Sequence, residues 1–119
     1  MKYMLLIYSE PGAEAGMSQA DQESMMGEYF AFTQRIVESG EMISGEPLQG
    51  IETATTVTVE NGETIVTDGP FAETKEVLGG FYMVDVATLE RAHELAAQIP
   101  SSRYGRVEVR PLMEIPSES

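Results

Sequence analysis

The sequence predicts an α+β fold, a ferredoxin-like sandwich in which two helices cover a mostly antiparallel sheet. First, strand and helix patterns follow one another in the order strand, helix, strand, hairpin, strand, helix, strand. Second, Asn61-Gly62 is a strong signal for a two-residue turn and predicts an inserted β-hairpin. Third, two of the strands are apolar on both faces, so each side of the sheet requires a cover.

The 119 residues fit a single domain, since no repeat or linker interrupts them, and 116–119 is predicted to be a flexible tail. The first strand is KYMLLIY at 2–8. A helix is predicted over 19–39, because Ser18 is a suitable N-cap and Gly40 occupies the place of a left-handed C-terminal residue. Its apolar stripe is predicted to contain Met26, Tyr29, Phe30, Thr33, Ile36 and Val37.

A short strand at 42–48 precedes the hairpin at 55–67, whose turn sets Val57 opposite Val66. The next strand, at 78–86, contains Gly79-Gly80, a pair that indicates a bulge or a close backbone approach.

The second helix is predicted over 89–99, between the cap residue Thr88 and the helix-ending Pro100. The last strand is predicted over 106–115. The buried stripe of the second helix is predicted to contain Leu89, Ala92, Ala96 and Ile99.

The formal net charge of −13 argues against a nucleic-acid or anionic-membrane partner, because phosphate binding requires clustered Lys and Arg. No apolar run is long enough to cross a membrane, and the apolar stretch at the start, MKYMLLIY, is too short for a signal peptide. The absence of cysteine excludes thiol chemistry and favours a cytoplasmic location.

The basic residues are unevenly distributed. Arg103, Arg106 and Arg110 fall within eight residues, whereas 10–63 contains eleven acids and one base. Such a basic spot on an acidic protein fits a small anionic ligand, and the alternative is that these arginines pair with nearby carboxylates.

Two helices cover only one face of the predicted sheet, whereas the strands at 2–8 and 78–86 are apolar on both. A second copy of the same sheet, packed face to face about a two-fold axis, would cover the other face. We therefore expect a homodimer.

The segment TDGPFAETKE at 67–76 joins two strands. A plain connection between strands needs only a few polar residues, whereas this segment contains a rigid turn, an aromatic ring and several charges. Pro70 restricts Gly69, which is expected to take up any unusual torsion, and Asp68 can hydrogen-bond a nearby backbone N–H. Phe71 is expected to anchor the turn by burial. Two interpretations remain open: a rigid corner alone, or a corner that also shapes a pocket.

The run DGPFAETKEVLGGFYMVDV, with MKYMLLIY, SGEMISGEPL and VEVRP around it, resembles the YCII-related family in its DGPF-motif branch over nearly the whole chain. The resemblance implies a dimeric α/β-barrel-type fold, with a pocket between the sheet and the first helix. Related superfamily members include lactone isomerases and a dehydrochlorinase. Genes of the DGPF branch often stand beside extracytoplasmic-function sigma factors, which implies a regulatory link.

One departure from the family pattern matters. The pattern has a histidine in the first helix as part of a general base, and Tyr29 stands at or near that place. A phenol is protonated at neutral pH, so it is a poor base there but donates a hydrogen bond or a proton. The single histidine, His93, lies on the second helix and is expected to be satisfied or solvent-facing.

The candidate catalytic residues are Asp68 as a base and Tyr29. The candidate substrate-binding residues are Phe71, Glu73, Lys75, Glu76, Tyr82 and Arg110. Lys75 or Arg110 would hold a carboxylate or enolate, unless Lys75 and Glu76 form only a solvated ion pair. No metal is expected, since no pair of His or Cys exists and the acids lack EF-hand spacing, and no motif indicates a cofactor.

Three functional hypotheses follow. In the first, the chain is a small-molecule-binding dimer that acts as a cofactor-free isomerase or lyase. In the second, it is a non-catalytic sensor linked to a sigma factor. In the third, the DGPF corner only stabilises the dimer. Fold analogy does not choose among them.

Overall fold

The computed structural model describes residues 1–116, so 117–119 of the predicted tail lie outside the described part. Six strands and two α-helices follow one another in it: β1 (Lys2–Ser9), α1 (Gln19–Glu38), β2 (Met42–Pro47), β3 (Thr55–Glu60), β4 (Glu63–Asp68), β5 (Val77–Asp85), α2 (Leu89–Gln98) and β6 (Arg106–Pro111). Short 3-10 turns lie at Ala13–Gly16, Ile51–Thr53 and Pro100–Arg103.

The main sheet has the strand order β2-β5-β1-β6, and each of its neighbouring pairs is antiparallel. This α+β arrangement is consistent with the predicted ferredoxin-like fold. β3 and β4 pair only with each other, and Val57 stands opposite Val66 as predicted. Their turn places Asn61 at φ 50° and Gly62 at φ 80°, torsions that Asn and Gly accept at low cost.

Local signals fixed the helix ends correctly. The Ser18 hydroxyl accepts a hydrogen bond from the Asp21 amide at 3.1 Å, and the Thr88 hydroxyl accepts one from the Arg91 amide at 3.1 Å. Gly40 has φ 78°, the left-handed conformation expected after α1.

The predicted stripe of α1 is partly wrong. The buried residues are Met25, Phe32 and Ile36, whereas Met26, Phe30 and Val37 are exposed. Both sets recur at helical spacing, and they lie side by side on the helix surface. Periodicity alone could not choose between the two adjacent rows.

The core lies between the helices and one face of the sheet. Tyr3, Leu5 and Ile7 of β1 are buried there, and the Phe32 ring meets the Tyr82 ring edge-on, with centroids 5.1 Å apart. On α2 the prediction for Leu89 is wrong: Leu89 is exposed, and the buried members are Ala92, Leu95 and Ala96, followed by Ile99 just after the helix.

The opposite face of the sheet carries the alternate side chains of the same strands. Met4 stands opposite Met83 and Leu6 stands opposite Phe81 across β1 and β5. All four are half-buried, and neither helix packs on this face, because the helices lie over the alternate residues. This open face, defined by Met4, Leu6, Phe81 and Met83, is the apolar surface that the sequence anticipated.

The Gly79-Gly80 prediction is confirmed. Ile7 pairs with Gly80 and Tyr8 pairs with Leu78, so Gly79 is the extra residue of a β-bulge. A Cβ on Gly80 would lie 3.0 Å from the Glu46 carbonyl oxygen, which also shows the close backbone approach.

The last strand is shorter than predicted. It ends at Pro111, which pairs with Tyr3, and one more bond follows it, from the Leu112 amide to the Lys2 carbonyl at 2.9 Å, where β1 begins. Across residues 1–116, neither helix is long and apolar enough to span a membrane.

A paired charge connects the start of β2 to α2. Glu41 accepts hydrogen bonds from Arg91 Nε at 2.8 Å and from its terminal nitrogen at 3.0 Å. These bonds, followed by one from the Ser39 hydroxyl, hold the pKa of Glu41 below its ordinary value, and burial opposes them only in part.

Candidate functional site

A cavity of about 480 Å³ lies between α1 and the sheet. α1 contributes one wall, β5 and the ends of β1 and β2 contribute the other, and the turn after α2 closes one end. Its apolar side-chain lining includes Ile7, Met25, Met26, Phe30, Met42 and Pro47. The volume is in the range of pockets that bind small molecules.

Hydroxyl groups supply most of the cavity's polar chemistry. The hydroxyls of Tyr29 and Ser101 share a hydrogen bond, and the Thr33 hydroxyl lies 2.8 Å from the Tyr82 hydroxyl. Each hydroxyl both donates and accepts, so these pairs can rearrange to bind a carbonyl or hydroxyl oxygen. Ser9 contributes a fifth hydroxyl to the lining.

The cavity carries little charge. Among its lining residues in the described part of the chain, Glu46 is the single charged one, and its side chain is exposed. No Lys, Arg or His of residues 1–116 lines it. Such a lining favours an uncharged ligand, because a buried anion needs a paired cation or several donors.

Gly45 sets the shape of the cavity wall. A Cβ at this position would lie 2.7 Å from Tyr82 Cδ1 and 3.0 Å from the Phe81 carbonyl oxygen. Because Gly45 has no side chain, the Tyr82 ring can lie in the space beside β2.

The structure brings two of the predicted site residues together. Tyr29 and Tyr82 both line the cavity, each in one of the two hydroxyl pairs. Their positions follow from α1 and β5, which face each other across the core.

Asp68 and Phe71 lie elsewhere. Asp68 ends β4, is paired with Thr55 and is exposed, and it does not line the cavity of its own chain. Gly69 takes φ 97° and donates its amide to the Ala54 carbonyl at 2.8 Å, which confirms the special torsion expected in this corner. The expected burial of Phe71 is wrong within the chain: the ring is 90% exposed, because the corner turns away from the core.

The predicted charged residues are also separate from the cavity. Lys75 pairs with Glu10 at 3.5 Å, and both are exposed, so Lys75 does form a solvated ion pair but with another partner. Glu76 pairs with Arg106 at 3.0 Å beside a second, open hollow of about 490 Å³. Glu73 is exposed in the loop before β5.

The basic spot near the C-terminus consists of ion-paired arginines. Arg103 binds Glu28 at 2.6 Å, Arg106 binds Glu76, and Arg110 binds Glu108. The hydrogen bond that Arg103 donates to Glu28 raises the pKa of Arg103. The alternative interpretation, in which these arginines pair with nearby carboxylates, therefore holds for all three.

Metal ligation finds no support in the described residues. Within 1–116, no three His, Asp or Glu side chains converge as metal ligands. His93 is exposed on α2, in agreement with the solvent-facing interpretation.

Of the predicted site residues, only Tyr29 and Tyr82 line the cavity; among the lining residues that were not anticipated, Thr33 as a polar group, Ser101 and Gly45 contribute most to its geometry. Thr33 was assigned to an apolar stripe, yet a threonine within such a stripe was itself a signal of a polar partner across the core. Ser101 lies 72 positions from Tyr29 in sequence, and no local pattern connects them.

Comparison with known proteins identifies the family of the chain. A profile of the YCII-related domain matches residues 1–116. An uncharacterized protein of Rhizobium meliloti (strain 1021) is 38% identical over 114 residues, which cover 94% of this chain and 92% of the relative. The chain therefore belongs to the YCII-related family.

Proposed function

We propose that the chain is a homodimeric small-molecule-binding protein, and that its ligand is an uncharged ring compound with a carbonyl or hydroxyl oxygen. The observation that carries the proposal is the cavity under α1, where apolar side chains surround the Tyr29–Ser101 and Thr33–Tyr82 hydroxyl pairs. The near-absence of charge supports this ligand over the anionic one expected from the arginine cluster.

A matched pair of probes tests the ligand class. Para-hydroxyacetophenone and para-hydroxybenzoate have similar size and shape, but only the second is an anion at neutral pH. We expect the ketone to raise the melting temperature in a thermal-shift assay and to lose this effect in Thr33→Val. A response to the anion alone would contradict the proposal.

The homodimer is supported by the surface that the single chain exposes. The accessible surface is 8569 Å², about a third more than the roughly 6,300 Å² expected of a compact 13.0 kDa chain. The radius of gyration is 16.7 Å, against about 13.5 Å for a compact chain of this length. A standard interface removes about 800 Å² from each partner, so one such interface would account for about a third of the excess.

We propose that two open faces meet in this dimer, as in the dimeric α/β barrel implied by the DGPF-branch resemblance, with β3–β4 inserted into the ferredoxin-like core. Leu6→Lys places a charge at the centre of the face, and we expect it to yield monomers in light scattering. Ala97→Lys, on the exposed side of α2, makes the same charge change and should leave a dimer. A wild-type monomer at micromolar concentration would refute the arrangement.

Catalysis is the second step of the proposal. Tyr29 can donate a proton to a ligand oxygen, and Asp68 remains the proposed base of a cofactor-free isomerase or lyase. We place binding before catalysis because Asp68 does not line the cavity, and Glu46, the single acid of residues 1–116 that does, has an exposed side chain.

The alternative function is a sensor or regulatory module, which needs a ligand pocket but no base. The same lining favours it, and the sigma-factor link and the cytoplasmic location belong to this proposal. Affinity purification of the tagged protein from its native cells, with and without bound ligand, tests the link. If no sigma factor is recovered under either condition, the proposed sigma-factor link is contradicted.

A further inference from the structure

The β3–β4 hairpin exposes an apolar row that its own chain does not cover. Every residue of the two strands except Thr56 is exposed. Val57, Val59 and Val66 lie on one face of the hairpin, where they are 59%, 67% and 62% exposed. A two-stranded hairpin alone is marginally stable in water, so this face is expected to have a partner.

We infer that this valine row packs against β6 of a second copy, so that the two subunits exchange hairpin arms. The inference rests on the proposed homodimer and adds a second contact to its sheet-to-sheet interface. Three observations, of charge, geometry and surface area, support a second copy of this protein as the partner of the valine row.

The charges of the two surfaces are complementary. No Lys or Arg occurs between Arg35 and Lys75, and the hairpin itself carries Glu60, Glu63 and Asp68. Strand β6 carries Arg106 and Arg110, whose side chains remain 82% and 68% exposed although each is ion-paired. When the acidic hairpin of one subunit lies on the exposed guanidinium groups of the other, the opposite charges attract and orient the two subunits.

The topology brings these surfaces together. β2 and β6 are the two outer strands of the sheet, and the hairpin follows β2 in the chain. The Gly69 amide to Ala54 carbonyl bond and the Thr56 hydroxyl to Gly69 carbonyl bond, both 2.8 Å, fix the base of the arm. A two-fold axis parallel to the strands sets β2 of one subunit over β6 of the other, within reach of the arm.

The third reason is area. The single chain exposes about a third more surface than a compact monomer, and its extents of 49 × 48 × 20 Å show a flat molecule. Packing of the arm on a partner would bury part of this excess in addition to the open face.

The test replaces the row by a polar residue of similar shape and strand propensity. In Val57→Thr/Val59→Thr/Val66→Thr, we expect the dimer dissociation constant, from light scattering over a dilution series, to rise by at least about tenfold. Amide hydrogen exchange in 55–68 should be slow in the wild-type dimer and become fast in the variant. Ile65→Thr, on the other face of the hairpin, is the matched control and should change neither quantity.

Cross-linking locates the contact, because the chain has no cysteine of its own. Differently tagged Val59→Cys and Arg110→Cys proteins are mixed, and a short thiol cross-linker should join them into a heterodimer. Val59→Cys with Ala97→Cys, on α2, should give no product.

The outcomes separate the two proposals. A wild-type monomer would overturn both the dimer and the arm exchange. A dimer whose 55–68 amides exchange rapidly, or whose stability is unchanged by the triple substitution, would overturn the arm exchange alone. Protection of 55–68 that persists in monomers at high dilution would show contact within one chain, and would also overturn it.

Discussion

The Tyr29 hydroxyl on α1 is hydrogen-bonded to the Ser101 hydroxyl in the turn after α2, across 72 positions of sequence. This bond joins the middle of α1 to the turn that follows α2, at the edge of the cavity. Because Ser101 is buried, loss of its partner leaves a polar group without an equivalent replacement.

Tyr29→Phe is therefore expected to lower the free energy of unfolding by about 1 kcal/mol. Ser101→Ala should have an effect of similar size, and the double variant should lose less than the sum of both. Urea denaturation of the four proteins gives the coupling. Strictly additive effects would mean that the hydrogen bond makes no net contribution to stability.

Gly45→Ala should damage the cavity wall. The new Cβ would lie 2.7 Å from the Tyr82 ring and 3.0 Å from a backbone oxygen, so the ring must move. We expect a loss of about 1–3 kcal/mol in unfolding free energy and weaker ligand-induced thermal shifts.

The matched control for Gly45→Ala is Gly79→Ala. Its Cβ would approach nothing nearer than the Ile7 carbonyl oxygen at 4.0 Å, and it should change stability by less than about 0.5 kcal/mol. Equal losses in both variants would indicate that any added side chain disturbs this part of the sheet.

The Glu41–Arg91 pair should make stability depend on pH. Since the folded state lowers the pKa of Glu41 below its ordinary value of 4.5, the pair stabilises the fold above that pH. The contribution is lost as the pH falls through the folded pKa. Glu41→Gln should cost about 1 kcal/mol at neutral pH, allowing for solvent screening of the half-exposed Arg91, and almost nothing in strong acid.

Glu94→Gln is the control for that measurement, because it removes the exposed partner of Arg91 and leaves Glu41 in place. Denaturation at several pH values should show a smaller, flatter difference. A Glu41→Gln effect that persists unchanged in strong acid would mean that the carboxylate's charge is not its cause.

Asp68→Asn separates the roles proposed for the DGPF corner. Asp68 is exposed at the end of β4, so the substitution should shift the melting temperature by less than about 3 °C. Loss of turnover with an intact dimer would support a catalytic base. Dissociation into monomers would instead assign the corner to the interface and contradict the catalytic role.

The sequence was sufficient for the order and type of the main elements, because these depend on local signals. The caps at Ser18 and Thr88, the Asn61-Gly62 turn and the Gly79 bulge each act within a few residues. Errors arose where a choice depended on tertiary packing, as for the buried row of α1 and the position of Leu89 on α2.

The candidate site was only partly predictable for the same reason. Tyr29 was chosen from its place near the family's histidine position and Tyr82 as an expected aromatic neighbour of Asp68, and the two tyrosines do line one cavity. Ser101 could not be chosen, since only the folded chain brings it to Tyr29. The TDGPFAETKE residues drew attention by composition, but the single chain directs Phe71 and Lys75 into solvent.

The outer strands of the main sheet both finish with proline, at Pro47 in β2 and Pro111 in β6. Proline has no amide hydrogen to offer an incoming strand, and β6 also places Arg106, Glu108 and Arg110 along its rim. Growth of fibrils by edge-to-edge addition is thereby discouraged. The edge strands therefore allow the open face to stay exposed for the proposed contact with a second copy, without open-ended polymerisation.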